Sequence, residues 1–70
     1  MKYNYDGLWK LLIDKRMKKT ELQDRLKLSP TTLAKLGKGK DVSLDVLYRI
    51  CMELGADIGD IVSIERGERR

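Results

Sequence analysis

Serine, threonine and lysine are concentrated in one stretch of the 70-residue chain, LSPTTLAKLGKGK from Leu28 to Lys40. Such side chains suit the base edges of a DNA major groove. Threonine offers a donor, an acceptor and a methyl that fits thymine, and lysine reaches guanine O6 or N7. They do so only if a helix presents them together. Ser29 followed by Pro30 supplies its start: serine accepts a bond from a first-turn N–H, and proline at the first helical position has no N–H to leave unpaired. The pattern predicts a helix over about 30–36, with Gly37 and Gly39 ending it. At about 100° per residue, Leu33 and Leu36 define its buried side. Thr31, Ala34 and Lys35 then fall roughly opposite, flanked by Pro30 and Thr32. Lys38 and Lys40 follow in a loop suited to meeting a phosphate backbone.

Other chemistries find little support. The chain has no histidine and a single cysteine, Cys51, so no metal cluster and no disulfide framework is available. No paired acid and base on a pocket-forming scaffold is recognisable, which argues against an enzyme, and no cofactor or small-molecule ligand is expected. GKGK resembles part of a phosphate-binding loop, but that loop needs G-x-x-x-x-G-K-[ST] after a strand, and Lys40 precedes Asp41. LWKLL matches a short peptide-docking pattern, yet its leucines are needed for a helix core. Cys51, between Ile50 and Leu54 on an apolar side, reads as a packed residue. Tyr3, Tyr5 and Trp9 could stack on the bases of a single strand, but packing against the segment 61–64 is the simpler use.

The formal net charge of +4 conceals a segregation along the chain. From Lys15 to Lys40 nine basic residues stand against two acidic ones; from Asp41 to Glu65 six acidic residues stand against Arg49 alone. One half attracts polyanions and the other repels them, which orients a nucleic acid as well as recruiting it. No apolar run approaches the ~20 residues needed to span a bilayer, and the opening MKYNYDGLWKLLI is too weak for a secretory signal. A cytoplasmic protein without membrane attachment is expected.

The elements that must position these residues are short helices in one small domain covering 1–70. Leu8, Leu11 and Leu12, with Trp9 and Ile13, form an apolar stripe that predicts a first helix over about 6–16. Leu22 and Leu26 mark a second. Thr20 and Gln23 have capping-box spacing, which would start it near Thr20. Ser43 caps a fourth helix with Leu44, Leu47, Ile50, Cys51 and Leu54 on one face and Gly55 as its stop, and Asp57 can cap a final turn through Ile61. Val62 to Glu65 and Tyr3 to Tyr5 alternate as strands do, though both are short. A mobile tail is expected from Arg66 to Arg70.

The stretch MKKTELQDRLKLSPTTLAKLGKGK, Met17 to Lys40, with the apolar spacing Leu22, Leu26, Leu28, Leu33, Leu36, resembles the helix-turn-helix of Cro/CI-type (lambda-repressor-like, XRE-type) regulators. With its YNYDGLWKLLIDK opening and LGADIGDIV close, the whole chain is similar to small stand-alone bacterial regulators of that class. The resemblance implies an all-α, five-helix fold with its helix-turn-helix at about 17–40, double-stranded DNA as partner, and a homodimer. It places base contacts on Pro30, Thr31 and Lys35, and phosphate contacts on Lys18, Lys19, Ser29, Thr32, Lys38 and Lys40. It would also start the second helix nearer Lys18. Two positions depart from the family pattern: Lys27 stands where glycine is usual in the turn, and Gln23 where a small residue is expected.

The function implied is sequence-specific DNA binding by a transcriptional regulator. A domain with no attached sensor acts most simply as a repressor, by occupying a promoter. The alternative is a protein-interaction module of the same fold, such as an antitoxin or anti-repressor. Ile58, Ile61, Val62 and Ile64 exceed what a short terminal segment needs for its own burial, so a two-fold contact is expected there.

Overall fold

Helix boundaries follow from groups lying within a few residues of each end. The computed structural model describes residues 2–65, and the tail expected at 66–70 lies outside them. The chain runs β1 (Lys2–Asn4), α1 (Asp6–Asp14), α2 (Lys19–Leu26), α3 (Pro30–Lys38), α4 (Leu44–Leu54), α5 (Ile58–Ile61) and β2 (Ser63–Glu65). Ser29 Oγ accepts from the Thr32 N–H at 3.1 Å, and Ser43 Oγ from the Val46 N–H at 3.2 Å. Each such cap contributes about 1 kcal/mol. Asp57 opens α5, where the Asp60 carboxylate accepts from the Asp57 N–H at 3.0 Å.

The capping box expected at Thr20 does not form. Lys18, with extended backbone, is the N-cap of α2 and places Thr20 inside the first turn. Gln23 is thereby left for another partner: its Nε2 donates to the Leu28 carbonyl at 3.2 Å and braces the turn into α3.

Four helices end on a left-handed residue, at Arg16, Lys27, Gly39 and Gly55. At all four, the following N–H reaches back five residues (Met17 to Leu12, Leu28 to Gln23, Lys40 to Lys35, Ala56 to Cys51), closing off carbonyls that would otherwise lack partners. Arg16 at φ 55° explains why α1 stops at Asp14 rather than running on to Arg16. Gly37 does not end α3. It sits within the helix, and Gly39 makes the stop one residue after Lys38.

Leu8, Leu22, Leu36, Ile50 and Ile61 are the most deeply buried side chains, so α1 to α5 all contribute to one core. Gly7 lets α1 meet α5, since a Cβ there would stand 2.1 Å from the Asp60 carbonyl oxygen. Two apolar residues expected in the core are not there. Ile13 lies about 100° past Leu12 on the wheel and is 74 % exposed, and Leu44, in the first turn of α4, is 76 % exposed.

The five expected helices are joined by a small antiparallel ribbon. β1 pairs β2 with Tyr3 opposite Ile64 and Lys2 opposite Glu65. The Tyr3 N–H does not enter this ladder: it donates to the Gly39 carbonyl at 3.0 Å. Because alternate residues of a strand direct their backbone groups to opposite edges, β1 lies between β2 and the exit of α3.

Candidate nucleic-acid interface

α3 presents two unlike sides. Leu36 is buried and Leu33 half-buried, while Pro30, Thr31, Ala34, Lys35 and Lys38 are exposed. On the wheel Thr31, Ala34, Lys35 and Lys38 fall within roughly 100° of one another, opposite the two leucines. Lys38 is thus the last residue of the helix, on the same outward face as Lys35, rather than part of the loop that follows. The face is small and polar at its start and cationic at its end.

At the N-terminal edge, Ser29 is occupied by its capping role: besides accepting from the Thr32 N–H, its hydroxyl donates to Thr32 Oγ1 at 3.0 Å. Among the described residues the hydroxyl proton of Thr32 has no acceptor, which leaves it for an external one. The turn of residues 27–29 is held on both sides. Lys27 adopts the left-handed conformation at φ 55°, where a non-glycine residue costs about 1 kcal/mol. The Arg49 guanidinium, from α4, donates to the Leu26 carbonyl. With Gln23 on Leu28, these bonds fix α3 relative to α2 without a small residue at position 23.

Two further groups of lysines are exposed. Lys18 and Lys19 open α2 and are exposed, as are Lys38 and Lys40 at the exit of α3. Among the described residues both ion pairs use Arg25, with Glu21 at 3.2 Å and Glu53 at 3.0 Å, and neither uses one of these lysines. The exit loop is pinned from behind. The Tyr5 hydroxyl donates to the Lys40 carbonyl at 2.8 Å beside the Tyr3 N–H on Gly39. Burial, then the neighbouring Tyr3 and Asp41, holds that hydroxyl above the ordinary tyrosine value, so it stays a donor at neutral pH.

Trp9 joins the two lysine groups. Its indole lies beneath Lys19, whose ammonium is 4.3 Å from the ring centroid. It lines an open apolar groove of about 660 Å³ with Leu12, Met17 and Lys18, and also a smaller polar cleft beside Lys38 and Gly39. From sequence the simpler use of Trp9 is packing against the segment 61–64; its contact with Lys19 comes in addition. Neither Trp9 nor Tyr5 was legible as part of the site, because each meets its partner through tertiary packing rather than local spacing.

The apolar residues expected at a two-fold contact divide. Ile58 and Ile64 are 40 % and 47 % exposed and, with half-buried Val62, line a groove of about 340 Å³ that also takes in Tyr3 and Leu44. Ile61 is withdrawn from that set: it is fully buried in the monomer core and cannot touch a second chain. No group of residues suited to holding a metal ion occurs among the described residues, and no helix is long and apolar enough to cross a membrane.

Comparison with known proteins agrees with this arrangement. No curated protein matches the sequence. A crystal structure of the transcriptional regulator VanUg superposes with a TM-score of 0.86 at 52% sequence identity, covering 89% of this chain and 83% of that one. Residues 7–66 match the family described as the Cro/C1-type helix-turn-helix DNA-binding domain, a span that runs from the second residue of α1 through α5. The chain belongs to the Cro/C1-type helix-turn-helix family of DNA-binding domains.

Proposed function

We propose that this protein is a transcriptional regulator that reads a specific double-stranded DNA site with α3 and represses by occupying it. One observation carries the reading: the exposed Thr31, Lys35 and Lys38 share the outward face of a helix whose other side is packed leucine. Pro30, Thr31 and Lys35 meet base edges, the proline by apolar contact alone. Lys18, Lys19, Thr32, Lys38 and Lys40 meet phosphates, with Ser29 holding Thr32 in place. Repression follows from site occupancy and needs no other activity. The 52% identity to a transcriptional regulator supports the assignment.

The acting form is a homodimer joined through Ile58, Val62 and Ile64, with Leu44 and Tyr3 beside them. A two-fold pair would place two α3 helices on half-sites related by the same symmetry. Selection of bound sites from random duplexes tests both statements: an inverted repeat with a fixed half-site spacing is expected, and recovery of no preferred sequence would overturn them. If a dimer meets about six to ten phosphates, affinity should fall roughly 10³- to 10⁵-fold between about 50 and 200 mM salt.

A second reading has its own observation. Leu44, Tyr48 and Met52 recur every four residues along α4 and are 76 %, 60 % and 67 % exposed, an apolar stripe in the acidic half of the chain. Such a stripe suits a protein partner, as in an antitoxin or anti-repressor. Stable co-purification with one partner, together with loss of retention on duplex DNA, would favour it.

A further inference from the structure

We infer that Trp9 is a positioning residue for DNA binding, holding the Lys19 ammonium where a phosphate must meet it. The inference rests on the phosphate-contact reading of Lys19 and goes beyond it. A free lysine ammonium samples many rotamers, and freezing it on a phosphate costs side-chain entropy. An indole face beneath the ammonium pays part of that cost in advance, since the negative ring face attracts the cation while its outer hydrogens stay free to donate.

The geometry fits such a device. The ammonium is 4.3 Å from the ring centroid, well inside the ~6 Å range of the interaction. Lys19 is the first residue of α2 and Lys18, its N-cap, has no side-chain cap bond, so the helix end that carries Lys19 also offers backbone N–H groups to an anion. The indole itself is fixed from below, packed half-buried against the core of α1. No short-range pattern links the two residues, because Lys19 sits ten positions away across the α1–α2 turn. Trp9 also lines the cleft that Lys38 borders.

The test is a double-mutant cycle on the full chain, read by DNA affinity and by its salt slope. Lys19→Met is expected to weaken binding to every duplex and to lower the slope by about one unit per subunit. Trp9→Leu is expected to weaken binding roughly two- to five-fold per subunit with Lys19 present, and not at all in the Lys19→Met background. Trp9→Phe, which keeps a ring face, should restore part of the loss. Equal losses from Trp9→Leu in both backgrounds would mark the tryptophan as a packing residue only and overturn the inference while leaving the Lys19 contact intact. An unchanged affinity and slope in Lys19→Met would remove that contact and the inference with it. Thermal melts of each variant separate a folding defect from either outcome.

Discussion

The Tyr5 hydroxyl and the Lys40 carbonyl oxygen, 35 positions apart in the chain, are joined by a hydrogen bond of 2.8 Å. It ties the N-terminal segment to the loop that carries Lys40, directly behind the lysines at the exit of α3. Removing only the hydroxyl isolates its contribution. Tyr5→Phe keeps the ring in the core and leaves the Lys40 carbonyl without this donor. Stability should drop by about 1 kcal/mol, and affinity for all duplexes should fall while base preference stays the same. Equilibrium urea unfolding and a binding titration on two unrelated duplexes check both halves. A shifted base preference would place Tyr5 in the reading surface instead.

The same hydroxyl sets an alkaline limit. Burial, with Tyr3 and Asp41 nearby, raises Tyr5, and burial, with Asp57 and Asp60 nearby, raises Cys51. Both groups are neutral when protonated, so the folded state holds their protons more tightly than the unfolded chain does. That stabilisation is fully present below the unfolded values, about 8.5 for the thiol and about 10 for the phenol, and is lost as pH rises through the higher folded values. Urea midpoints should decline above roughly pH 9, and less steeply in Tyr5→Phe.

Gly7 marks the point of closest approach between α1 and α5. The Cβ of Gly7→Ala would stand 2.1 Å from the Asp60 carbonyl oxygen, a contact against backbone that cannot rotate away. Although alanine is the better helix former by about 1 kcal/mol, overpacking at this point should outweigh that gain and destabilise by about 1–3 kcal/mol. Thermal denaturation of the variant gives the sign directly, and an unchanged or raised midpoint would contradict the close approach.

Lys27 and Arg16 hold left-handed backbone without being glycine, each with φ 55°. Lys27→Gly should therefore stabilise the protein by several tenths to about 1 kcal/mol, and Arg16→Gly likewise. Lys27→Ala, which removes the charge but retains the Cβ, should give no such gain. Midpoints of chemical denaturation for the three variants separate backbone strain from charge.

Lys35 and Lys38 share a face but should fail differently. Lys35→Ala should relax preference at one base pair, worth about 1–3 kcal/mol against the wrong base, whereas Lys38→Ala should weaken all duplexes alike and reduce the salt slope by about one. Sites selected by each variant from random DNA give the comparison. Identical selected sites for Lys35→Ala and the parent would remove Lys35 from the reading surface.

What was legible in the sequence was local. Ser29, Ser43 and Asp57 cap their helices as their positions suggest, because a cap is a bond between groups a few residues apart. The Thr20 box failed for an equally local reason, since Lys18 had already begun the helix. Leu44 and Ile13 were misplaced because wheel position gives a direction, not whether a neighbouring element lies there to cover it. Ile61 counts as surplus apolar surface on local pattern alone, whereas Gly7 opens the space that brings α5 onto α1 and buries it. The supports behind the site were invisible for the same reason: Arg49 on Leu26, Tyr5 on Lys40 and Trp9 under Lys19 exist only once distant segments meet.

The ribbon has a consequence for the order in which the molecule is made. β1 leaves the ribosome well before its partner along one edge, Ser63–Glu65, whose residues lie 59 to 63 positions further along the chain than those they pair with. Long-range pairings of this kind form late. During translation the loop bearing Lys40 therefore has Tyr5 available behind it well before β2 can cover the outer edge of β1.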